Sequence, residues 1–208
     1  MTYKDIKINQ YLELCDLLKE SDDLDLLSIQ VKEISIVFGI SEDEVLNLPL
    51  PDYQKKVREI SFLSQPLKPC PKKINSLVIG DRKFNIIKDV KNMTAGQFVD
   101  YNTFIGMNDK KYTPHILSVF VVPEGKKYGE YDQDEHIEFL SANLDIQTAY
   151  DICFFFLHKL QNLLKAMELY LGWEIKKNRK KIPMEKMQEI QSQLDSLRNG
   201  IGYITSIQ

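Results

Sequence analysis

Apolar residues recur at helical spacing through the first third of the chain. Tyr11, Leu12, Leu14, Cys15, Leu17 and Leu18 form one stripe after Asn9. The acidic segment "SDDLD" at 21–25 then predicts a second helix, with carboxylates at the positive end of its dipole. That helix carries Leu26, Leu27, Ile29, Ile34, Ile36, Val37 and Phe38, and Gly39 is placed to cap it. Ser41 and Glu44 have the spacing of a capping box, flanked by Ile40 and Val45 as a hydrophobic staple. Pro51 suits the first turn of a further helix whose Tyr53, Val57, Ile60 and Phe62 face inward.

The pattern changes at "SQPLKPCPKK". Pro66, Pro69 and Pro71 impose an extended segment that reads as a joint. Alternation then predicts a β-hairpin, with Leu77, Val78 and Ile79 on one strand and Phe84, Ile86 and Ile87 on the other. Gly80-Asp81 forms its turn, glycine supplying the positive φ of a type II′ geometry. In "MTAGQFVDY", Thr94 and Gln97 repeat the capping-box spacing and Met93 and Phe98 take the staple positions. This stretch therefore reads as a helix start and not as an active-site loop. The apolar segment 115–122, stopped by Pro123, leaves strand and short buried helix both open, its β-branched content favouring strand. The polar segment "EGKKYGEYDQDEH" reads as a surface loop leading into a short helix with Ile137, Phe139 and Leu140.

From about Ile146 to Lys177, Cys153, Leu157, Leu160, Leu164, Met167 and Leu171 advance by alternating four and three residues. Phe156, Leu163 and Tyr170 widen the stripe beyond a coiled-coil seam. Such a helix either forms the core or offers a groove to another chain. Leu157, Leu160, Leu164, Met167 and Leu171 are accordingly the candidate partner-binding residues. A weaker amphipathic helix follows, with Met187, Ile190, Leu194 and Leu197. The predicted class is mainly α with a small β-hairpin, an α+β chain. Its parts are a helical N-terminal unit (1–65), a proline-rich joint (66–73), a hairpin plus helical core (74–175) and a basic C-terminal helix and tail (176–208).

Composition narrows this only modestly. With 208 residues, 43% hydrophobic and 27% charged, the chain can bury a core without staples. A net charge of −3 argues against a surface given over to nucleic acid. Cys15, Cys70 and Cys153 are dispersed and odd in number, which fits reduced thiols. "MTYKDIKINQ" lacks a signal core, and no run approaches the ~18 apolar residues of a membrane span. A cytoplasmic protein is the expectation.

Candidate chemistry is sparse. No nucleophile motif, P-loop or dinucleotide fingerprint occurs, and His115, His136 and His158 share no metal-ligand spacing. "DQDEH" at 132–136 gathers Asp132, Asp134, Glu135 and His136 but lacks the glycine and distal glutamate of a calcium loop. It reads as a solvated acidic loop. Helix-"FGIS"-helix resembles a helix-turn-helix, yet its second helix opens with Glu42, Asp43 and Glu44, which phosphates repel. Lys176, Lys177, Arg179, Lys180 and Lys181, followed by Lys186, form a basic run. It reads as a solvated helix end or, alternatively, as a contact for DNA or an acidic partner.

Taken in order, the helical unit, the proline joint, the hairpin, "MTAGQFVDY", "ILSVFVVPEG" and "FFFLHKL" resemble a group of small phage proteins over residues 24–172. These are encoded among tail and neck genes of Bacteroidetes phages, and some are tail assembly chaperones. The resemblance favours helix over strand for 115–122. It implies a non-enzymatic assembly or structural protein without cofactor or metal. The implied partners are tape-measure, tail-tube or neck proteins, or further copies of itself, and neither a membrane nor, as a first choice, nucleic acid. The implied location is the host cytoplasm during assembly, with the virion as a later one. The alternative function is a DNA-binding module using the basic 176–186 segment.

Overall fold

In a computed structural model, residues 1–20, 24–70, 74, 76–87, 90–107, 109–156, 159, 186, 188, 192 and 195 are described. Four helices open the chain: α1 (Ile8–Glu20), α2 (Leu26–Phe38), α3 (Glu42–Leu46) and α4 (Leu50–Ile60). Their boundaries follow local chemistry. Asp25 caps α2 by accepting from the Ser28 N–H. Gly39 ends it at φ 63°, a left-handed position that a side chain rarely adopts, and its N–H donates to Ser35 O. Ser41 and Glu44 form both bonds of the capping box. Val45 is buried, while Ile40 packs half-buried against the core.

The hairpin forms as its alternation predicts. β1 (Ser76–Ile79) and β2 (Arg82–Ile86) pair with Ile79 opposite Arg82, and Gly80 takes φ 61° in the turn. The hairpin is not complete by itself, because β3 (Val121–Pro123) adds to β2 and makes an antiparallel sheet in the order β1-β2-β3. Segment 115–122 is thus both things its composition left open. Helix α6 (Thr113–Phe120) runs straight into β3. Helix α5 (Ala95–Gly106) precedes α6, and α7 (Gln133–Asn143) follows β3. A further helix, α8, is described over 146–156. The chain is mainly helical with a small antiparallel sheet.

Among the described residues, one apolar cluster joins these elements. Ile6 and Ile8 before and in α1, Ile34 of α2, Phe84 and Ile86 of β2, Leu117 and Val119 of α6, Leu140 of α7 and Ile152 and Phe156 of α8 all belong to it. Backbone bonds clamp the start of α1 to the α7–α8 junction, Ile8 N–H to Leu144 O at 3.1 Å and Ile146 N–H to Ile6 O at 2.8 Å. The proline-rich stretch is strapped down over residues 65–70. The Tyr3 hydroxyl donates to Gln65 O, Gln147 Nε2 to Lys68 O, and the Cys70 N–H to Asp151 Oδ1. With no N–H on Pro66 and Pro69, the segment has few donors of its own and relies on such side-chain bonds.

Candidate functional site

Two regions could carry function, a polar cleft around His136 and an apolar surface on the N-terminal helices. The cleft, about 410 Å³, lies between β2, the end of β3 and the start of α7. The acidic segment 132–136, expected as a loop, is instead the beginning of α7. Asp132 is its N-cap, and one carboxylate oxygen accepts from both Asp134 N–H and Glu135 N–H at 3.0 Å. That use of the carboxylate satisfies two of the orphan donors every helix start presents. Glu135 reaches Arg82 at 3.6 Å across an exposed pair, a contact worth little in water. Arg82 in turn stacks 4.4 Å above the Phe139 ring.

His136 is buried, contrary to the solvated loop its neighbours in sequence imply. Its Nε2 lies 2.7 Å from Val121 O, so that nitrogen carries the proton and donates to the carbonyl. The ring stacks on Phe84 and meets Tyr131 edge-on. Its partners are therefore a strand carbonyl and two aromatic rings. His115 lies elsewhere, packed between Phe104 and Tyr112, and the cleft is not lined by it. Among the described residues, no group of three or more His, Cys, Asp or Glu side chains is placed to hold a metal ion. His158 lies outside the described residues.

The three cysteines are free thiols. Cys153 borders a small apolar cavity of about 50 Å³ between α1, α6 and α8. Burial pushes its thiol up to about 12, so it stays protonated at neutral pH and is a poor nucleophile.

No protein-family model, curated protein or solved structure matches this chain. What the site does must be read from its own geometry.

The second region is apolar and exposed. Leu26 is 81% exposed, Leu27 57%, Leu46 62% and Leu50 67%. Leu26 and Leu27 sit in the first turn of α2, while Leu46 and Leu50 flank the tight α3–α4 connection. The Tyr53 hydroxyl donates to Gln30 Oε1 at 3.1 Å, and the Lys56 ammonium lies 3.6 Å over the Phe38 ring. These two contacts occur in the same order along both helices. Both contacts hold α2 against α4. Scattered exposed leucines are ordinary, whereas a contiguous exposed apolar patch rimmed by polar residues is the usual mark of a protein contact.

The candidate contacts expected from sequence lie elsewhere. Leu157, Leu160, Leu164, Met167 and Leu171, and the basic Lys176, Lys177, Arg179, Lys180 and Lys181, are all outside the described residues. Within 146–156 the buried positions are Ile146, Ala149, Ile152 and Phe156, spaced three, three and four apart, so this part of the helix does face the core. The leucine surface had a visible signal in "DLDLL" and "VLNLPLPD". Periodicity put Leu26 and Leu27 in the apolar stripe of the second helix and made no assignment for Leu46 and Leu50.

Burial lowers the proton affinity of both His136 and His115 below that of a free imidazole. The folded chain then binds fewer protons than the unfolded one once the pH falls below about 6.5. Stability is complete above that pH and is lost as acid is added through it, by at most about 1.4 kcal/mol per pH unit for each histidine. Urea unfolding at pH 7.5, 6.5 and 5.5 is expected to show falling stability, with a shallower fall in His136→Gln, whose amide can still donate to Val121 O. A profile flat over this range would refute the buried neutral imidazole.

Proposed function

We propose that this chain is a non-enzymatic phage assembly or structural protein, chaperone-like toward tail components or part of the neck or tail. It acts through apolar helix contacts with other phage proteins. The observation that carries the reading is the exposure of Leu26, Leu27, Leu46 and Leu50 at the ends of α2, α3 and α4. A surface of this kind is stabilised by covering it with another protein's apolar side chains. The polar cleft supports the same reading from the other side. Asp132 spends its carboxylate on a helix cap and His136 its Nε2 proton on a strand carbonyl, which suits architecture.

The test is co-expression with the tape-measure, tail-tube and neck proteins of the same phage genome. One of them is expected to co-purify stoichiometrically through size exclusion. Purification as a species that ignores all of them would refute the proposal. Retention on DNA at low salt, lost steeply as salt rises, would favour the basic 176–186 segment as the working part instead.

A further inference from the structure

The sheet has an open edge at β1. Among the described residues, β1 pairs with β2 alone. In an antiparallel pair, residues alternate between those that bond the facing strand and those that turn both main-chain groups away from it. Lys83 O accepts from Glu124 N–H at 2.9 Å, so Lys83 bonds toward β3. Val78, opposite Lys83, therefore points its N–H and C=O out of the sheet. Ser76, two residues earlier, does the same. Among the described residues, nothing bonds to either of them from the outer side. Both are exposed, Val78 at 62%, whereas Val121 and Val122 at the other side of the sheet are buried.

Edges of this kind are commonly blunted by a lysine, a proline or a bulge. Ser76–Ile79 carries no charge and no proline. The chemistry of the edge names its ligand class, an extended strand whose main chain supplies the missing donors and acceptors. The charges beside β1 choose among strands. Lys72 and Lys73 precede it in sequence and Asp81 follows it, while Arg82 beyond the turn already reaches Glu135. Run antiparallel to its own copy, the strand brings its basic end to the copy's acidic end, at both ends of the pair. Run parallel, like charge meets like. A register centred on Leu77 sets Ser76 against Val78 of the second copy and Val78 against Ser76 of the second copy, so every outward group finds a partner. The same register sets position 73 against position 81.

We propose that β1 is a self-association edge, through which two copies of this chain join their sheets by antiparallel β1 strands about a two-fold axis at Leu77. Such a contact is isologous, so it closes at a dimer and leaves no β1 edge free. The inference goes beyond helix contacts and stands on residues that the assembly reading does not use.

The strand is four residues long, a short interface, so the dimer is expected to form in the micromolar range. Sedimentation equilibrium of the full chain over about 2–200 μM measures it. Val78→Pro removes the outward N–H while leaving the bonds to β2, and Val78→Lys places two ammonium groups diagonally across the new strand pair. Each is expected to weaken dimerisation at least tenfold, with circular dichroism and melting temperature close to wild type. Asp81→Lys is expected to weaken it at low salt, and adding Lys73→Asp is expected to restore it. A chain that stays monomeric over this range, a dimer that Val78→Lys leaves unchanged, association that continues past the dimer, or a charge exchange that fails to restore Asp81→Lys would each overturn the proposal.

Discussion

Phe120→Ala is expected to destabilise the chain by about 3–5 kcal/mol, the usual cost of removing a fully buried aromatic ring. Phe120 is 2% exposed and ends α6 where the chain turns into β3. Its ring stacks on Phe156 with centroids 3.9 Å apart and planes at 13°, and meets Tyr101 edge-on at 5.3 Å. One side chain thus joins α5, the α6–β3 junction and α8. Truncation leaves three elements facing a void that none can fill without moving the others. For a chain of this size the melting temperature is expected to fall by on the order of 10 °C. Phe98→Ala is the matched control, because Phe98 is 41% exposed, and its cost is expected to stay below about 1 kcal/mol. Urea titration with circular dichroism measures both. If the two variants lose stability equally, the Phe120–Phe156 stack does not hold α8 on the core.

The same junction explains why part of the fold was legible in the sequence and part was not. Ser41 with Glu44, and Thr94 with Gln97, form the capping boxes their spacing implies, because a cap is decided within four residues. The Gly80 turn is equally local. Segment 115–122 could not be resolved by pattern. Its last residues become strand only because β2 lies alongside, Ile86 opposite Val121, and that pairing spans a long stretch of chain. The staple expected from Met93 and Phe98 shows the same limit. Met93 packs half-buried against the core, but Phe98 stays largely in solvent and the neighbouring Gln97 goes inside. A polar residue goes in where a distant acceptor awaits it, and periodicity weighs only apolarity.

His136 repeats this lesson in the functional region. Spacing placed it in a solvated acidic loop, yet Val121 O and the Phe84 ring draw it into the interior. The acidic residues beside it become the cap and first turn of α7. The leucine surface errs in the opposite direction. Leu26 belongs to an apolar stripe by spacing, but it sits at a helix start and is largely exposed, as is Leu50 at the start of α4. Burial at a helix end depends on what packs over that end, which lies elsewhere in the sequence.

Gln97→Ala is expected to cost about 3 kcal/mol, more than any ordinary cap deletion. The side chain is 2% exposed and serves two structures at once. Its Oε1 accepts from Thr94 N–H at 2.9 Å, closing the capping box of α5. Its Nε2 donates to Val119 O at 2.8 Å. That carbonyl is in the last turn of α6, where the helical partner four residues on is Pro123, which has no N–H to give. Gln97 therefore supplies from another helix the donor that the sequence of α6 withholds, and alanine leaves a buried acceptor unpaired. Thr94→Ala separates the two roles. It removes the Thr94 side-chain cap while Gln97 can still reach Val119 O, and is expected to cost about 1 kcal/mol. Gln97→Glu keeps an acceptor for the box but loses the donor, so it is expected to resemble Gln97→Ala at neutral pH and to recover toward wild type as acid protonates the carboxyl. If Gln97→Ala proves no more costly than Thr94→Ala in urea, the bond to Val119 O contributes nothing to holding α5 against α6.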